Sequence, residues 1–225
     1  MGLLYRCCCS CKSEATTNIT LALFGIDNAG KTTAFNTLRG DTHSIIAPTV
    51  GFDTGSFLHK RTTSITLFDV GGGPKIRDIW QHYYPEIHGV LFFIDGSDPD
   101  RLNEAKQVLM NSLGDKHLAH KPLLILVNKQ DVDSALSAEE VASKLELNLF
   151  NSDFSILPSI ALPTTQGYPH QELLFAVDWI VERVLNNFDE LELRIENEKE
   201  EYLAEQRLKR AEKRKKIEQE LNNDN

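Results

Sequence analysis

The sequence predicts an α/β fold: a six-stranded, mostly parallel sheet with one antiparallel edge strand, helices on both faces, and a long charged helix at the C-terminal end. Three observations predict it. Short apolar runs recur at residues 18–24, 55–60, 64–70, 90–95, 123–128 and 154–160. Helical patterns lie between most of them, at residues 31–39, 76–84, 99–113 and 138–147. After Pro169 neither glycine nor proline occurs up to Asn225.

Each element follows from its residues. Residues 18–24 form an apolar strand that runs into a glycine-rich turn, and residues 31–39 continue as a helix. The runs at 55–60 and 64–70 are too close for a crossover helix, so they form a hairpin and make one sheet edge antiparallel. Residues 123–127 are apolar throughout, as a strand buried on both faces requires. The stretch from His170 onward is rich in Glu, Lys, Arg, Leu and Gln, all good helix formers. As one unbroken helix it would span about 80 Å. Its apolar stripe, Val184, Phe188, Leu191 and Ile195, steps by four, three and four and should pack on something. Glu198 and Glu205 occupy the next heptad places despite Tyr202, which makes a long coiled-coil dimer or tether the weaker reading. Charge segregates along it: residues 189–205 carry eight acids and two bases, residues 207–216 seven bases and one acid. The chain thus divides into a cysteine-rich segment (1–17), an α/β domain (18–185) and a charged helical extension (186–225).

Composition narrows the function. Of the 225 residues, 41% are apolar and 25% charged, which excludes a disordered chain, a collagen and a multi-span membrane protein. No apolar run approaches the ~18–20 residues of a membrane-spanning helix, and no secretory signal opens the chain. Thirty-three acids against 24 bases give a net charge of −9, so nucleic acid is not an expected partner. All four cysteines, Cys7, Cys8, Cys9 and Cys11, fall in the first eleven residues, which excludes a disulfide framework. Nothing in the pattern signals a strong homo-oligomer.

Two motifs carry chemistry. Gly25-Ile26-Asp27-Asn28-Ala29-Gly30-Lys31-Thr32 fits G-x-x-x-x-G-K-[ST] between an expected strand and an expected helix. A turn of this kind exposes successive backbone N–H groups, and the helix behind it presents its positive dipole end to phosphates. Lys31 adds a point charge near the β and γ phosphates, and Thr32 offers a hydroxyl to Mg²⁺. Asn128-Lys129-Gln130-Asp131 follows the fifth apolar run. A carboxylate at Asp131 can accept two donors from the edge of guanine, a pair that adenine lacks, and leaving a buried acceptor unpaired is costly. Asn128 can brace the loop and reach the purine, and the Lys129 stem can lie over the ring.

The chain at this point resembles the small GTPases, and within them the Arf and Arf-like family. The marks are Gly25 to Thr33, Pro48-Thr49-Val50-Gly51-Phe52, Asp69-Val70-Gly71-Gly72, Ile76-Arg77-Asp78-Ile79-Trp80-Gln81-His82-Tyr83-Tyr84 and Asn128-Lys129-Gln130-Asp131, in the family's order. The resemblance implies a P-loop small-GTPase fold that binds GTP or GDP with Mg²⁺. It implies nucleotide contacts from Asp27, Asn28, Ala29, Gly30, Lys31, Thr32, Thr33, Thr49, Gly72, Asn128, Lys129, Asp131 and Ala161. It implies a Mg²⁺ site at Thr32, Thr49 and Asp69, with Asp69 acting through water. Phe52, Phe68 and Tyr83 take the places of the family's aromatic effector patch, with Phe68 replacing a usual Trp; plain core packing is the alternative. Ala161, in Pro158-Ser159-Ile160-Ala161, sits where a backbone N–H meets the guanine carbonyl, although Ile160 replaces the usual Ser.

One departure matters. The family reads Asp-x-Gly-Gly-Gln, and its Gln orients the attacking water; here Gly73 stands in that place. The expectation is a switch with very slow hydrolysis and no confident catalytic residue. The alternatives are a substitute side chain, His82 or His88, and an ordinary GTP-hydrolysing Arf-like trafficking GTPase. The triple glycine, the cysteine cluster and the charged helix together resemble the ciliary Arf-like thirteen subgroup. That resemblance implies palmitoylated cysteines on the cytosolic face of the ciliary membrane, protein effectors, and, in the GTP state, exchange-factor action on Arf-like three. The cysteines also suit this on chemical grounds. Three adjacent thiols close a tetrahedral metal site poorly, while several acyl chains beside Arg6 and Lys12 give stable anchoring; a reactive or incidental cluster is the alternative. Residues 1–17 have no amphipathic helix of the Arf kind, so the nucleotide need not control attachment.

Overall fold

The computed structural model describes residues 16–41, 49–146 and 154–223. Cys7, Cys8, Cys9, Cys11 and Pro48 lie outside the described residues.

Six strands form one sheet in the order β2-β3-β1-β4-β5-β6. They are β1 (Thr17–Phe24), β2 (Phe52–His59), β3 (Thr63–Val70), β4 (Gly89–Asp95), β5 (Leu123–Asn128) and β6 (Phe154–Pro158). Every pairing is parallel except β2 with β3, the hairpin expected at the edge. Among the described residues five α-helices accompany it: α1 (Lys31–Arg39), α2 (Leu102–Leu113), α3 (Ala138–Lys144), α4 (Gln171–Asn186) and α5 (Phe188–Asn223). From β1 the chain moves through α1 toward β3 and β2, and later through β4 in the opposite direction. Right-handed crossovers then put α1 on one face and α2 and α3 on the other. The order therefore reverses beside β1, and the crevice at the carboxyl ends of the strands opens there.

The core sits where the strand patterns demand. All seven residues of β4 and all six of β5 are buried, while β2 alternates between exposed and half-buried positions. The hairpin is longer than expected. Pairing runs from His59 opposite Thr63 up to Phe52 opposite Val70. Lys60 and Arg61 both take positive φ (46° and 63°), and Thr62 donates its N–H to His59 O, so the connection is a tight turn of type I′ made without Gly or Asn.

Three expected elements differ in detail. Residues 76–84 were expected as a helix and form two 3₁₀ segments, Arg77–His82 and Tyr84–Glu86. Pro85 has no N–H to continue an α-helical ladder, and the bonds close three residues back, as in Tyr83 N–H to Trp80 O. The last strand ends at Pro158, two residues short of expectation: Ser159 N–H to Val127 O is its last ladder bond, and Ser159 O then accepts from Gln130 N–H in the loop beyond β5. The C-terminal stretch is two helices with a break at Asn187 (φ −126°, ψ 25°). The break comes without a glycine or proline because the two helices pack on different partners. α4 buries Leu173, Ala176, Val177, Ile180, Val181 and Val184. α5 turns away, lays the Phe188 ring parallel to His88 at 5.6 Å between centroids, and buries Leu191 and Ile195. The apolar stripe thus packs on the chain's own α/β domain.

Candidate nucleotide-binding site

The end of β1 feeds a loop whose shape is set by its own backbone. Gly30 takes φ 94°, and a Cβ there would lie 2.1 Å from Asn128 Nδ2, so both conformation and space demand glycine. Asn28 is also left-handed, with φ 63°. α1 begins directly after Gly30 and carries Lys31 and Thr32 at its first positions. Lys31 is buried, and its Nζ donates to Gly25 O (2.9 Å) and Ile26 O (2.8 Å), wrapping the loop around the ammonium. Burial is the main cause that pulls its pKa down to about 8, against the opposing pull of the Asp69 and Asp27 charges. A cavity of about 390 Å³ opens over the loop, bordered by Asp27, Lys31, Thr32, Thr33, Thr49, Gly72 and Gly73 among others.

The metal-site expectation can be tested against one carboxylate. Asp69 is 1% exposed at the end of β3. Its Oδ2 accepts from Thr32 Oγ1 at 2.6 Å and from Thr49 Oγ1 at 3.1 Å, while its Oδ1 is buried without a hydrogen-bond partner. The two hydroxyls lie 2.9 Å apart. Burial pushes the Asp69 carboxyl up, opposed by the Thr32 bond and the Lys31 charge. Oxygen ligands of this kind, with one carboxylate oxygen unused, suit a hard divalent cation that keeps most of its ligands as phosphate and water. Among the described residues no cluster of three or more His, Cys, Asp or Glu side chains offers an all-protein metal site.

The second loop is tied to the first. Asn128 Nδ2 donates to Ala29 O (2.8 Å), and Asn128 Oδ1 accepts the Ala161 N–H (2.9 Å). Thr37 on α1 donates to Ala161 O (2.8 Å). Asn128 therefore braces the phosphate loop as expected, and it also holds the Ala161 amide that was assigned to guanine. Lys129 takes φ 65°, and its Nζ reaches Asp95 Oδ2 at 2.5 Å. Asp131 is exposed, a correction to its treatment as a buried acceptor. Its position after β5 leaves it in solvent.

Three glycines close the crevice, and they are not equivalent. A Cβ on Gly71 would lie 2.5 Å from Thr49 O, and one on Gly72 would lie 2.4 Å from Gly25 O and 2.5 Å from Asp27 N. Backbone meets backbone there, and neither can carry a side chain. A Cβ on Gly73 would meet nothing within 4 Å. Neither histidine weighed as a substitute borders the cavity. His88 accepts Thr20 N–H at Nδ1 (3.0 Å) and meets Glu192 Oε2 at Nε2 (2.6 Å), while His82 contacts the Tyr202 hydroxyl.

Sequence reasoning missed the charged group beside the loop. Arg101 Nη2 donates to Asp27 Oδ1 (2.8 Å) and its Nε to Glu104 Oε2 (2.9 Å); Arg77 pairs with Glu104 and donates from Nε to Gly72 O (2.7 Å). The Arg101 bond holds the Asp27 carboxyl below its ordinary range. Arg77 stood within a quoted motif, but nothing in its spacing pointed to Gly72. Phe52, Phe68 and Tyr83 meet as a cluster at the hairpin edge. Phe52 stacks on Tyr83 (4.9 Å between centroids) and meets Phe68 edge-on (5.3 Å); Phe52 is 41% exposed and so is not core, whereas Phe68 and Tyr83 are partly buried and pack against the core.

Comparison with known proteins gives the family. The model of the ADP-ribosylation factor family matches residues 8–184. ADP-ribosylation factor-like protein 13B of Chlamydomonas reinhardtii is 35% identical over 201 residues, 89% of this chain, and the chain spans only 38% of that protein's length. ADP-ribosylation factor-like protein 2 of Arabidopsis thaliana is 35% identical over 164 residues, 73% of this chain and 86% of the relative. The Arl6 BBS3 small GTPase of Trypanosoma brucei, solved with the nucleotide analogue GppNp, superposes with a TM-score of 0.66 at 29% identity, covering 76% of this chain and 99% of that one. A match of that extent, on a sheet of this order and a loop of this shape, settles the family: the chain belongs to the ADP-ribosylation factor family and is an Arf-like small GTPase.

Proposed function

We propose that this GTPase is a membrane-anchored guanine-nucleotide switch that holds GTP with very slow unaided hydrolysis and acts on partners while GTP-bound. Its family provides the coarser part, a GTP-binding switch that signals through effectors. The observation that carries the finer part is the difference among the three glycines. Close backbone packing, against Thr49 O for Gly71 and against the phosphate loop for Gly72, explains those two glycines, whereas Gly73 has open space and no steric reason to be glycine. What it lacks is the amide that would orient water, and positioning is most of what a protein adds to phosphoryl transfer.

The remaining roles follow on the same reading. Phosphates take the loop amides from Asp27 to Thr33 and the Lys31 ammonium. Thr32 and Thr49 would hold Mg²⁺, with Asp69 acting through water, and the ion would supply charge neutralisation at the phosphates. Asp131, Asn128, Lys129 and the Ala161 amide take guanine, the last by sharing its N–H between Asn128 and the base. Acylated Cys7, Cys8, Cys9 and Cys11 hold the chain on the cytosolic face of the ciliary membrane. Phe52, Phe68 and Tyr83 form the effector surface, and one GTP-state partner is Arf-like three, which the protein serves as exchange factor. The cysteine cluster, Gly73 and the long charged helix support that assignment together.

Gly73→Gln tests the reading. The open space accepts the longer side chain, and single-turnover hydrolysis should rise by about tenfold or more. An unchanged rate, with nucleotide still bound, would mean that the missing amide is not the fault. Exchange-factor action is checked by release of labelled GDP from Arf-like three, which GTP-loaded protein should accelerate and GDP-loaded protein should not.

A further inference from the structure

The glycine segment facing the phosphate loop is itself held from behind. Gly71 O accepts the Trp80 indole N–H at 2.8 Å, and Gly72 O accepts Arg77 Nε at 2.7 Å. Both donors stand on the 3₁₀ segment Arg77–His82. Trp80 stacks on Phe24 at 4.7 Å and Tyr84 meets the same ring edge-on at 5.4 Å, so this segment is seated against the end of β1.

α5 straps the far side of that seat. Lys121 has a side chain 0% exposed, and its Nζ donates to Tyr84 O (2.8 Å) and to Glu198 Oε2 on α5 (2.9 Å). Four residues on, the Tyr202 hydroxyl meets His82 Nδ1. Between these contacts and the glycines lie only the backbone of residues 77–86 and two hydrogen bonds. An ammonium buried this deeply needs its carboxylate, and that carboxylate comes from the C-terminal helix.

We infer that Glu198 and Tyr202, acting through Lys121 and His82, are positioning residues for the phosphate-sensing glycines, so that docking of α5 and binding of the γ-phosphate strengthen each other. The inference rests on reading the crevice as a GTP site. It gives α5 a part in the switch itself. Docked, the helix fixes residues 82–86, and through Trp80 and Arg77 it holds the Gly71 and Gly72 carbonyls, and with them the N–H groups of the same peptide units, those of Gly72 and Gly73, for the phosphate end; the Gly71 N–H is bonded to Gly51 O. Coupling of this kind is reciprocal: whatever α5 adds to GTP affinity, GTP adds to α5 docking.

Hydrogen exchange on the unmutated protein tests this first. Amides of residues 198–206 should exchange at least about threefold more slowly with a non-hydrolysable GTP analogue than with GDP. Equilibrium binding of both nucleotides to Tyr202→Ala and Glu198→Gln tests the other direction. The ratio of analogue to GDP affinity should fall at least about threefold, with GDP affinity near its original value. A merely structural helix would weaken both nucleotides equally. Equal weakening, or an unchanged ratio while residues 191–206 exchange faster in the variants, overturns the inference. Equal α5 exchange in the two nucleotide states overturns it without any variant. If the unmutated protein binds neither guanine nucleotide, the reading of the crevice fails, and the inference fails with it.

Discussion

Asp131 stands in solvent beyond β5, so on the proposed reading its selectivity arises only when a base covers it. Guanine then pairs the carboxylate with two donors, while adenine would bury it unpaired. The difference should reach at least ~2–3 kcal/mol in favour of GTP over ATP by calorimetry, and Asp131→Asn should move the preference toward xanthine nucleotides. Equal affinities would contradict the role. Lys31 provides a second residue-scale test. With a free pKa near 8, it is charged at pH 7 and mostly neutral at pH 9. Phosphates favour the charged form, so binding must restore the proton above pH 8, and affinity falls as pH rises. Nucleotide should bind about tenfold more weakly at pH 9 than at pH 7, and a flat profile would mean that Lys31 does not titrate there. These residues were legible in the sequence because their motifs fix type and spacing together. Arg101 and Trp80 were not legible as site residues, since a bond to Asp27 or to Gly71 O depends on how distant segments meet.

At the scale of elements, patterns with one strong period were readable and mixed ones were not. The fully apolar runs gave β4 and β5 almost to the residue, and the close spacing of two runs gave the hairpin. The turn at Lys60-Arg61 was hidden because neither residue is a usual carrier of positive φ. The helix break at Asn187 was hidden because both sides are good helix formers and only their different packing partners separate them. α5 is the most instructive case. Its apolar stripe was visible up to Ile195, but the seam does not end where Glu198 replaces an apolar residue. It continues as an ion pair, Glu198 to the buried Lys121, with Arg194 bonded to Glu198 at 2.6 Å and to the carbonyls of Ala119 and Lys116. Heptad counting reads glutamate as a broken seam, whereas a buried lysine on the facing surface makes it the required residue. Glu198→Leu should therefore cost about 3 kcal/mol in denaturant unfolding, because it leaves Lys121 buried and unpaired. Lys121→Met combined with Glu198→Leu should cost less than Glu198→Leu alone. A double variant at least as unstable as the single one would show that the pair is not what α5 supplies.

For the whole molecule, attachment and switching are separate functions on the proposed reading. Anchoring rests on cysteines outside the described residues, and among the described residues no helix is long and apolar enough to cross a membrane. Switching rests on Thr49, whose hydroxyl already meets Thr32 and Asp69, and on Gly71 to Gly73. The β2–β3 hairpin joins the two segments, and in this family's manner it should slide along the sheet between nucleotide states. Replacing the four cysteines with Ser should release the protein from membranes at unchanged GTP affinity. Thr49→Ala should weaken GTP-dependent partner binding and leave localisation intact. Membrane release on GDP loading of the unmutated protein would contradict the separation. The central claim, that GTP once bound is held, is tested most directly by single-turnover hydrolysis of GTP on the unmutated protein, with and without a GTP-state partner. An ordinary small GTPase with its glutamine turns over unaided at about 3–5 × 10⁻⁴ s⁻¹. With Gly73 in that place, the account predicts a rate at least about tenfold lower in the absence of a partner. An unaided rate equal to the ordinary one would contradict it.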